Sequence, residues 1–342
     1  MGILTVRCRY CGTRREVAER FRGEKVLCGR CGQHFSVQEA LDTATRLTGL
    51  VIEGKYHLRA LFREGGFALV FRAEEVVDGA VVRPVAVKLI YPDPKIPRAQ
   101  QAEELVAVLK LSHPQIVHGL SAGACELDGV AWLYLVMELA EESLAEVILE
   151  RPASLRTVWE VAEHTASALA YLHKDPDRLV HRDIKPANLL RFAEGWKLAD
   201  FGLAFTMEWR RTDTKEVPPG TEKYMPPEAY DGIITPAWDM WSFGVTLAET
   251  LTGAHPFAGA HHILYAVTNL PPQLPEDMPP PFPEIIRGCL IKTRSQRWTA
   301  RQVLDALHAS HGLAETLAGA QWTVNQTLRQ WGRKPRKETE GD

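Results

Sequence analysis

No apolar stretch of transmembrane length occurs in this sequence. Its longest wholly apolar run, Val130 to Met137, falls far short of the roughly 20 residues that a bilayer-spanning helix requires. A signal-peptide h-region is also lacking, so a cytoplasmic protein with no membrane span is expected. Met1-Gly2 has the look of a lipid-acceptor start, but Val6 stands where Ser or Thr is needed, and no anchor is expected. Charge of one sign does not dominate: 40 Lys+Arg face 43 Asp+Glu, for a formal net charge of −3. A nucleic-acid or membrane-surface partner would therefore need a local patch. No internal repeat is evident. Cysteines are few, six in 342 residues, and in a reducing compartment their spacing rather than their pairing carries the meaning.

What is present is a 45% hydrophobic fraction, enough to bury a core, in a length that fits one large domain and a small one. Four cysteines lie within the first 31 residues and the next is Cys125, which marks a separate module over 1–37. Residues 38–55 read as a linker with a short helix over Gln38 to Leu47, and a strand-rich region begins at Tyr56. Val81-Val82 and Val85-Ala86-Val87 belong to a mostly antiparallel sheet carrying one helix from about Arg98 to Leu111. Farther on, Leu155, Val158, Val161, Thr165, Ala168 and Leu172 recur at helical spacing, so the second part of the large domain is expected to be mainly helical. The Pro-rich stretch Pro271 to Pro283 reads as a loop between helices. Residues 312–342 combine an amphipathic pattern, from Leu313 to Trp331, with the basic run Arg333 to Lys337. That helix is expected to dock on the protein's own helical lobe, with binding of a protein partner as the alternative.

Cys8-x2-Cys11 and Cys28-x2-Cys31 have the ligand spacing of a structural four-thiolate zinc site. Two intervening residues let both sulfurs of a pair face one ion, and Gly12 and Gly32 follow where a tight turn favours glycine. So short a segment cannot bury enough apolar surface to fold alone, and bound metal would supply its folding free energy. Four ligands leave no open position for water, so the metal is expected to be structural: Zn2+, with iron as the alternative. The segment resembles a zinc ribbon. Arg7, Arg9, Arg14, Arg15 and Arg30 are interleaved with Glu16, Glu19 and Glu24, so a protein partner is expected rather than nucleic acid. Cys125 and Cys289 fit no metal or redox spacing and read as small core residues.

A phosphoryl-transfer site must cradle a nucleotide triphosphate, offset its charge with metal and lysine, and present the attacking hydroxyl to a base. Lys88 ends the apolar strand Val85-Ala86-Val87-Lys88, from which its ammonium can reach the α- and β-phosphates. Glu104, on the following helix, is its expected ion-pair partner, with Glu103 as the alternative. His181-Arg182-Asp183-Ile184-Lys185-Pro186-Ala187-Asn188 sets a base and a metal ligand on one loop. Asp183 would accept the proton of the substrate hydroxyl, Lys185 would stabilise the transferring phosphoryl charge and Asn188 would hold Mg2+. Asp200 of Asp200-Phe201-Gly202 supplies the second metal carboxylate.

On these motifs residues 56–311 resemble the protein kinase superfamily in its bacterial, eukaryotic-like serine/threonine branch. The resemblance implies an α+β, two-lobed protein kinase fold, behind the ribbon, that phosphorylates serine or threonine on protein substrates in bacterial signalling with ATP and Mg2+. It further implies that Met137 guards the adenine pocket, that Glu138 to Ala140 form the hinge, and that Val70 and Ala86 line the nucleotide. Gly220 to Glu228 resemble the substrate-docking end of the activation segment, with Glu228 pairing Arg297. Asp239 braces the catalytic loop, and Lys185 with Thr221 favours Ser or Thr as acceptor. Arg182 beside Asp183 implies control by activation-loop phosphorylation, with Thr212 and Thr214 as the sites.

The phosphate-covering loop departs from the family's pattern. In Arg63-Glu64-Gly65-Gly66-Phe67-Ala68-Leu69-Val70 only Gly65 keeps one of the three glycine positions, and Arg63 and Ala68 replace the outer two. Gly66, Phe67 and Val70 complete the expected nucleotide contacts, on a stiffer loop. The alternative function is a pseudokinase scaffold that works through its ribbon and C-terminal helix.

Overall fold

The structure, a computed structural model, describes residues 3–7, 14–30, 32–37, 43–64, 68–91, 97–149, 151–174, 179–201, 222–258 and 263–310. The chain divides into two compact units, one of Met1–Leu109 with Gly119–Leu139 and the other of Lys110–His118 with everything from Ala140 onward.

The first unit begins with two short antiparallel pairs. β1 (Ile3–Arg7) pairs with β2 (Arg14–Ala18), and β3 (Lys25–Leu27) pairs with β4 (His34–Ser36). Period-two alternation puts Leu4 and Val6 on one face of β1, where they join Val17, Cys28, Phe35 and Val37 in a small core of their own.

Next come α1 (Thr43–Leu47) and β5 (Val51–Ile52). Both fall in the span read as a linker, yet Leu47 and Ile52 are wholly buried. These apolar side chains are covered by the large sheet, whose core they share with Tyr56, Leu58, Trp132 and Tyr134. That part of the span is consequently packed structure. Gln38 to Asp42 lie outside the described residues.

The large sheet continues through β6 (Tyr56–Glu64), β7 (Ala68–Val77) and β8 (Ala80–Ile90). α2 (Arg98–Leu109) follows, and then β9 (Gly119–Leu127) and β10 (Val130–Met137). The strand order is β5-β6-β7-β8-β10-β9, antiparallel throughout. The two tight hairpins turn at Asp78-Gly79 and Asp128-Gly129, all four residues having positive φ, the conformation that Asp-Gly favours in two-residue hairpins.

The second unit carries β11 (Glu142–Ser143), α3 (Leu144–Val147), α4 (Leu155–Leu172), β12 (Leu189–Phe192), β13 (Gly195–Leu198), α5 (Pro236–Thr252), α6 (Ile263–Asn269), α7 (Phe282–Cys289) and α8 (Ala300–Ala309). β11, β12 and β13 form a small antiparallel sheet. Val158, Val161, Thr165, Ala168 and Leu172 form part of the buried face of α4, capped at its start by the Ser154 hydroxyl. α5 is buried almost all round from Trp238 to Thr252, which makes it the axis of this unit. It opens with Pro236 in the first turn and ends at Gly253, φ +71°, the asymmetry expected of helix ends.

One expectation needs correction. The Pro-rich stretch does not stay a loop to Pro283, because α7 starts at Phe282 and takes Pro283 into its first turn. A missing N–H costs nothing there, since the first-turn N–H groups have no partner within the helix.

Candidate active site

In the second unit the central feature is a buried carboxylate. Asp239, in the first turn of α5 and wholly inaccessible, accepts the main-chain N–H of Arg182 on Oδ1 at 2.7 Å. Its Oδ2 accepts the main-chain N–H of His181 at 2.8 Å and lies 2.8 Å from Nε2 of His173. The loop is thereby pinned at a residue with φ +67°, Arg182, a conformation that a non-glycine residue holds only when its surroundings enforce it.

His181 closes the loop from inside. Its Nδ1 faces the N–H of Asp183 at 3.3 Å and its Nε2 the carbonyl of Ala199 at 3.1 Å. An N–H can only donate, so Nδ1 is the acceptor and Nε2 carries the proton, which is the neutral ring. Burial pushes this imidazole below its ordinary value, against the pull of Asp239, Asp183 and Asp200. The ring meets Phe201 edge-on, with centroids 4.8 Å apart.

Asp183, Lys185 and Asn188 come together on this loop. Asp183 Oδ2 lies 2.8 Å from Lys185 Nζ and accepts from the Asn188 amide at 2.8 Å. The same amide donates to the carbonyl oxygen of Asp183 at 2.8 Å. Asp183 Oδ1 is buried with no hydrogen-bond partner among the described residues. Asn188 ends a short 3₁₀ turn, Pro186–Asn188, and its carbonyl accepts from the N–H of Ala199 at 2.9 Å. The β12–β13 hairpin thus leads from Asn188 back to Asp200, whose own φ is +68°. Both N–H groups of the Asn188 amide are committed to Asp183, so oxygen is the only atom that amide offers a cation. With the Asp200 carboxylate this is a hard oxygen donor set, which fits Mg2+ completed by phosphate and water.

Farther along the chain, Glu222–Tyr224 and Pro227–Asp231 form 3₁₀ turns. Glu228 and Arg297, both buried, meet as a two-pronged pair at 2.5 and 3.0 Å. Arg297 donates further to the carbonyls of Ala237 at 2.7 Å and Ile291 at 3.0 Å. Its guanidinium lies 5.1 Å from the Trp241 ring centre. In the same unit, Glu249 accepts from Tyr224 Oη at 2.5 Å and Lys223 Nζ at 3.1 Å, and His255 Nε2 reaches the carbonyl of Lys223 at 2.8 Å.

In the first unit the expected nucleotide residues sit on three adjacent strands. Lys88 of β8 stands opposite Val70 of β7 and Leu135 of β10, and Ala86 stands opposite Met137. Ala86 and Lys88 share one face of β8, while Val87 points the other way into the core. Glu104 and Glu103 lie in α2, the former with a side chain outside the described residues. Glu138 follows β10 in this unit, and Ala140, buried, belongs to the second. Gly65, Gly66, Phe67, Thr212, Thr214, Thr221 and residues 311–342 lie outside the described residues.

Cys28 is buried in the small core, and the turn after it closes by an N–H of Gly32 on the Cys28 carbonyl at 2.8 Å, with Gly32 at φ +69°. Cys8, Cys11 and Cys31 lie outside the described residues. Among the described residues no group of three or more His, Cys, Asp or Glu could hold a metal, and no helix is long and apolar enough to cross a membrane. Burial raises Cys125 to about 11 and Cys289 to about 12, which leaves both thiols unreactive.

Three parts of the site escaped sequence reasoning: His173, the neutral bridging role of His181, and the cluster of Lys223, Tyr224, Glu249 and His255. His173 carries one legible signal, a polar residue just past the apolar face of α4 and shortly before the loop of His181 to Asn188. The cluster carries none, since Lys223 and Tyr224 stand at least 25 residues before Glu249 and His255 in the chain.

A lysine on β8, an α2 that carries the glutamate candidates and, in the second unit, a braced loop with aspartate, lysine and asparagine are the features expected of the protein kinase class. The sequence profile of the protein kinase domain matches residues 56–308, and the chain belongs to that family. It is 34% identical over 262 residues to serine/threonine-protein kinase PknA of Mycobacterium tuberculosis, covering 73% of this chain and 59% of that one. Serine/threonine-protein kinase PknL of the same species is 31% identical over 297 residues, or 82% of this chain and 71% of the relative. Mitogen-activated protein kinase kinase kinase 5 of Arabidopsis thaliana is 30% identical over 287 residues, or 79% and 39%. The chain thus spans about three fifths of the length of PknA.

Proposed function

We propose that this protein transfers the γ-phosphoryl group of ATP to serine or threonine hydroxyls of protein substrates in bacterial signalling. The observation that carries the reading is the buried Asp183 Oδ1, an acceptor without a partner among the described residues, on a carboxylate whose other oxygen is held by Lys185 and Asn188. A carboxylate so held can orient a hydroxyl and take its proton as the bond to phosphorus forms. Lys185 then offsets the charge of the phosphoryl group in transit. Lys88, paired with Glu104, holds the α- and β-phosphates. Asn188 and Asp200 would hold Mg2+, which when bound neutralises the phosphate oxygens. Val70, Ala86, Met137, Glu138 and Ala140 bind adenine, and Gly65, Gly66 and Phe67 cover the phosphates.

Phosphorylation of Thr212 or Thr214, read through Arg182, controls the activity, and Thr221 meets the acceptor. The N-terminal module is a zinc ribbon with Cys8, Cys11, Cys28 and Cys31 as ligands, and it recruits a protein partner. Burial of Cys28 and the left-handed Gly32 support that turn as a metal knuckle. The C-terminal segment is a second protein-docking element. We place the protein in the cytoplasm, where ATP is at hand and thiols stay reduced.

The test is transfer from labelled ATP with magnesium, to the protein itself and to a generic basic protein, by wild type and Asp183→Asn. Transfer lost in the variant supports the kinase. A folded wild type that neither transfers phosphate nor binds nucleotide overturns it in favour of the scaffold. One equivalent of zinc, released by a thiol reagent, is the corresponding result for the ribbon.

A further inference from the structure

The first residue of α2 is an arginine, and its guanidinium reaches out of the helix to a strand. Arg98 donates from Nη1 to the carbonyl of Ala131 at 3.1 Å and from Nη2 to the carbonyl of Trp132 at 3.2 Å, two consecutive residues of β10. A cation at a helix N-terminus opposes the helix macrodipole, and α2 has no acidic residue in its first turn to offset it. Helix formation alone does not favour arginine there.

The rest of α2 is held differently. Leu105 and Val108 are buried, and Leu109 lies so close to β9 that a Cβ on Gly119 would come within 2.8 Å of it. The C-terminal half of the helix is therefore fixed by packing. In the N-terminal half, Gln101 is buried but Glu103 faces solvent, and the forked contact of Arg98 ties that end to the sheet. Strand β10, which accepts the fork, also sets the position of Lys88, because Leu135 and Lys88 stand opposite each other. Glu104 lies about 9 Å along the helix from Arg98 at 1.5 Å per residue. A swing of α2 about its packed C-terminal end changes the reach from Glu104 to β8.

We infer that Arg98 is a positioning residue for phosphoryl transfer: it clamps the N-terminal end of α2 to β10 and so sets the spacing between Glu104 and Lys88. The inference rests on the kinase reading. Misplacing a catalytic group by an ångström costs on the order of 10- to 100-fold in rate, so a swing of this kind is read mainly in turnover.

The experiment compares wild type, Arg98→Ala, Arg98→Lys, Glu104→Gln and Arg98→Ala/Glu104→Gln in the full chain. It reads kcat, KM for ATP, melting temperature and hydrogen exchange of the amides from Ala102 to Leu105. Arg98→Ala is expected to lower kcat about 10-fold with little change in melting temperature and to speed exchange in α2 but not in β10. Arg98→Lys recovers part of the loss by reaching one carbonyl. In the Glu104→Gln background the same replacement has no further effect on kcat. Unchanged kcat and exchange in Arg98→Ala, or an equal loss in both backgrounds, overturns the inference. If wild type transfers no phosphate, the kinase reading fails separately, and the contrast in exchange between α2 and β10 decides the clamp by itself.

Discussion

Asp239 and Arg182 meet by a main-chain hydrogen bond of 2.7 Å at a position where φ is +67°. The carboxylate holds the backbone next to Asp183 in a conformation it would not keep by itself. Replacing Asp239 by Ala strands two buried N–H groups. Stability is expected to fall by about 3–5 kcal/mol, as when one partner of a buried charged group is removed. Turnover should fall beyond what the loss of folded protein explains. Urea titration and kcat at a temperature where the variant is folded check this.

Glu228 and Arg297 give a second buried charge test. Arg297→Met leaves the Glu228 carboxylate without its counter-ion, at about 3–5 kcal/mol. Glu228→Met/Arg297→Met is expected to cost much less than the sum of the two single changes, because no charge is then stranded. A double-mutant cycle by chemical denaturation measures the difference.

His255 ties stability to pH. Its Nδ1 accepts from the N–H of Phe257 at 3.2 Å, so Nε2 carries the proton toward the carbonyl of Lys223. Burial holds this ring below its ordinary 6.5, opposed by the hydrogen bond to the Lys223 carbonyl and by the Glu249 charge, while the Lys223 ammonium adds a smaller push in the direction of burial. The unfolded chain therefore binds a proton that the folded chain refuses, and the contribution is complete above pH 6.5 and lost as pH falls toward the lower folded value. His181 shifts in the same direction. Melting curves should show His255→Asn flattening part of the loss below pH 6.5, with little change in slope above it.

Gly195 is required by backbone and space together. Its φ is +119°, and a Cβ there would lie 2.4 Å from Cε1 of His164, whose Nδ1 accepts the N–H of Trp196 at 3.1 Å. Gly195→Ala is expected to destabilise by about 1–3 kcal/mol from the strained backbone. Removing the clash with His164→Ala should recover only part of that loss. Thermal denaturation of the single and double variants separates strain from collision.

Much of the architecture was legible because its cues are local. The apolar face of α4 and the β-branched runs of β8 each depend on residues a few positions apart. The linker reading missed the packing of Leu47 and Ile52, since two apolar residues in a short segment show a pattern only once the sheet that covers them exists. Pro283 was misread because a proline breaks a helix interior but not a first turn, and only the placed helix tells which it is.

By itself the sequence determined which groups the proposed chemistry rests on: Asp183, Lys185 and Asn188 lie within one short loop, so residue type and spacing already keep a carboxylate, an ammonium and an amide oxygen together. The tertiary structure decided what keeps that loop in place. Asp239, His173, His181 and Ala199 converge from separate stretches of chain, and so do Glu228 and Arg297. The physical reason is that a buried polar group must find a partner when the chain folds, and no spacing along the chain says which distant group will be beside it.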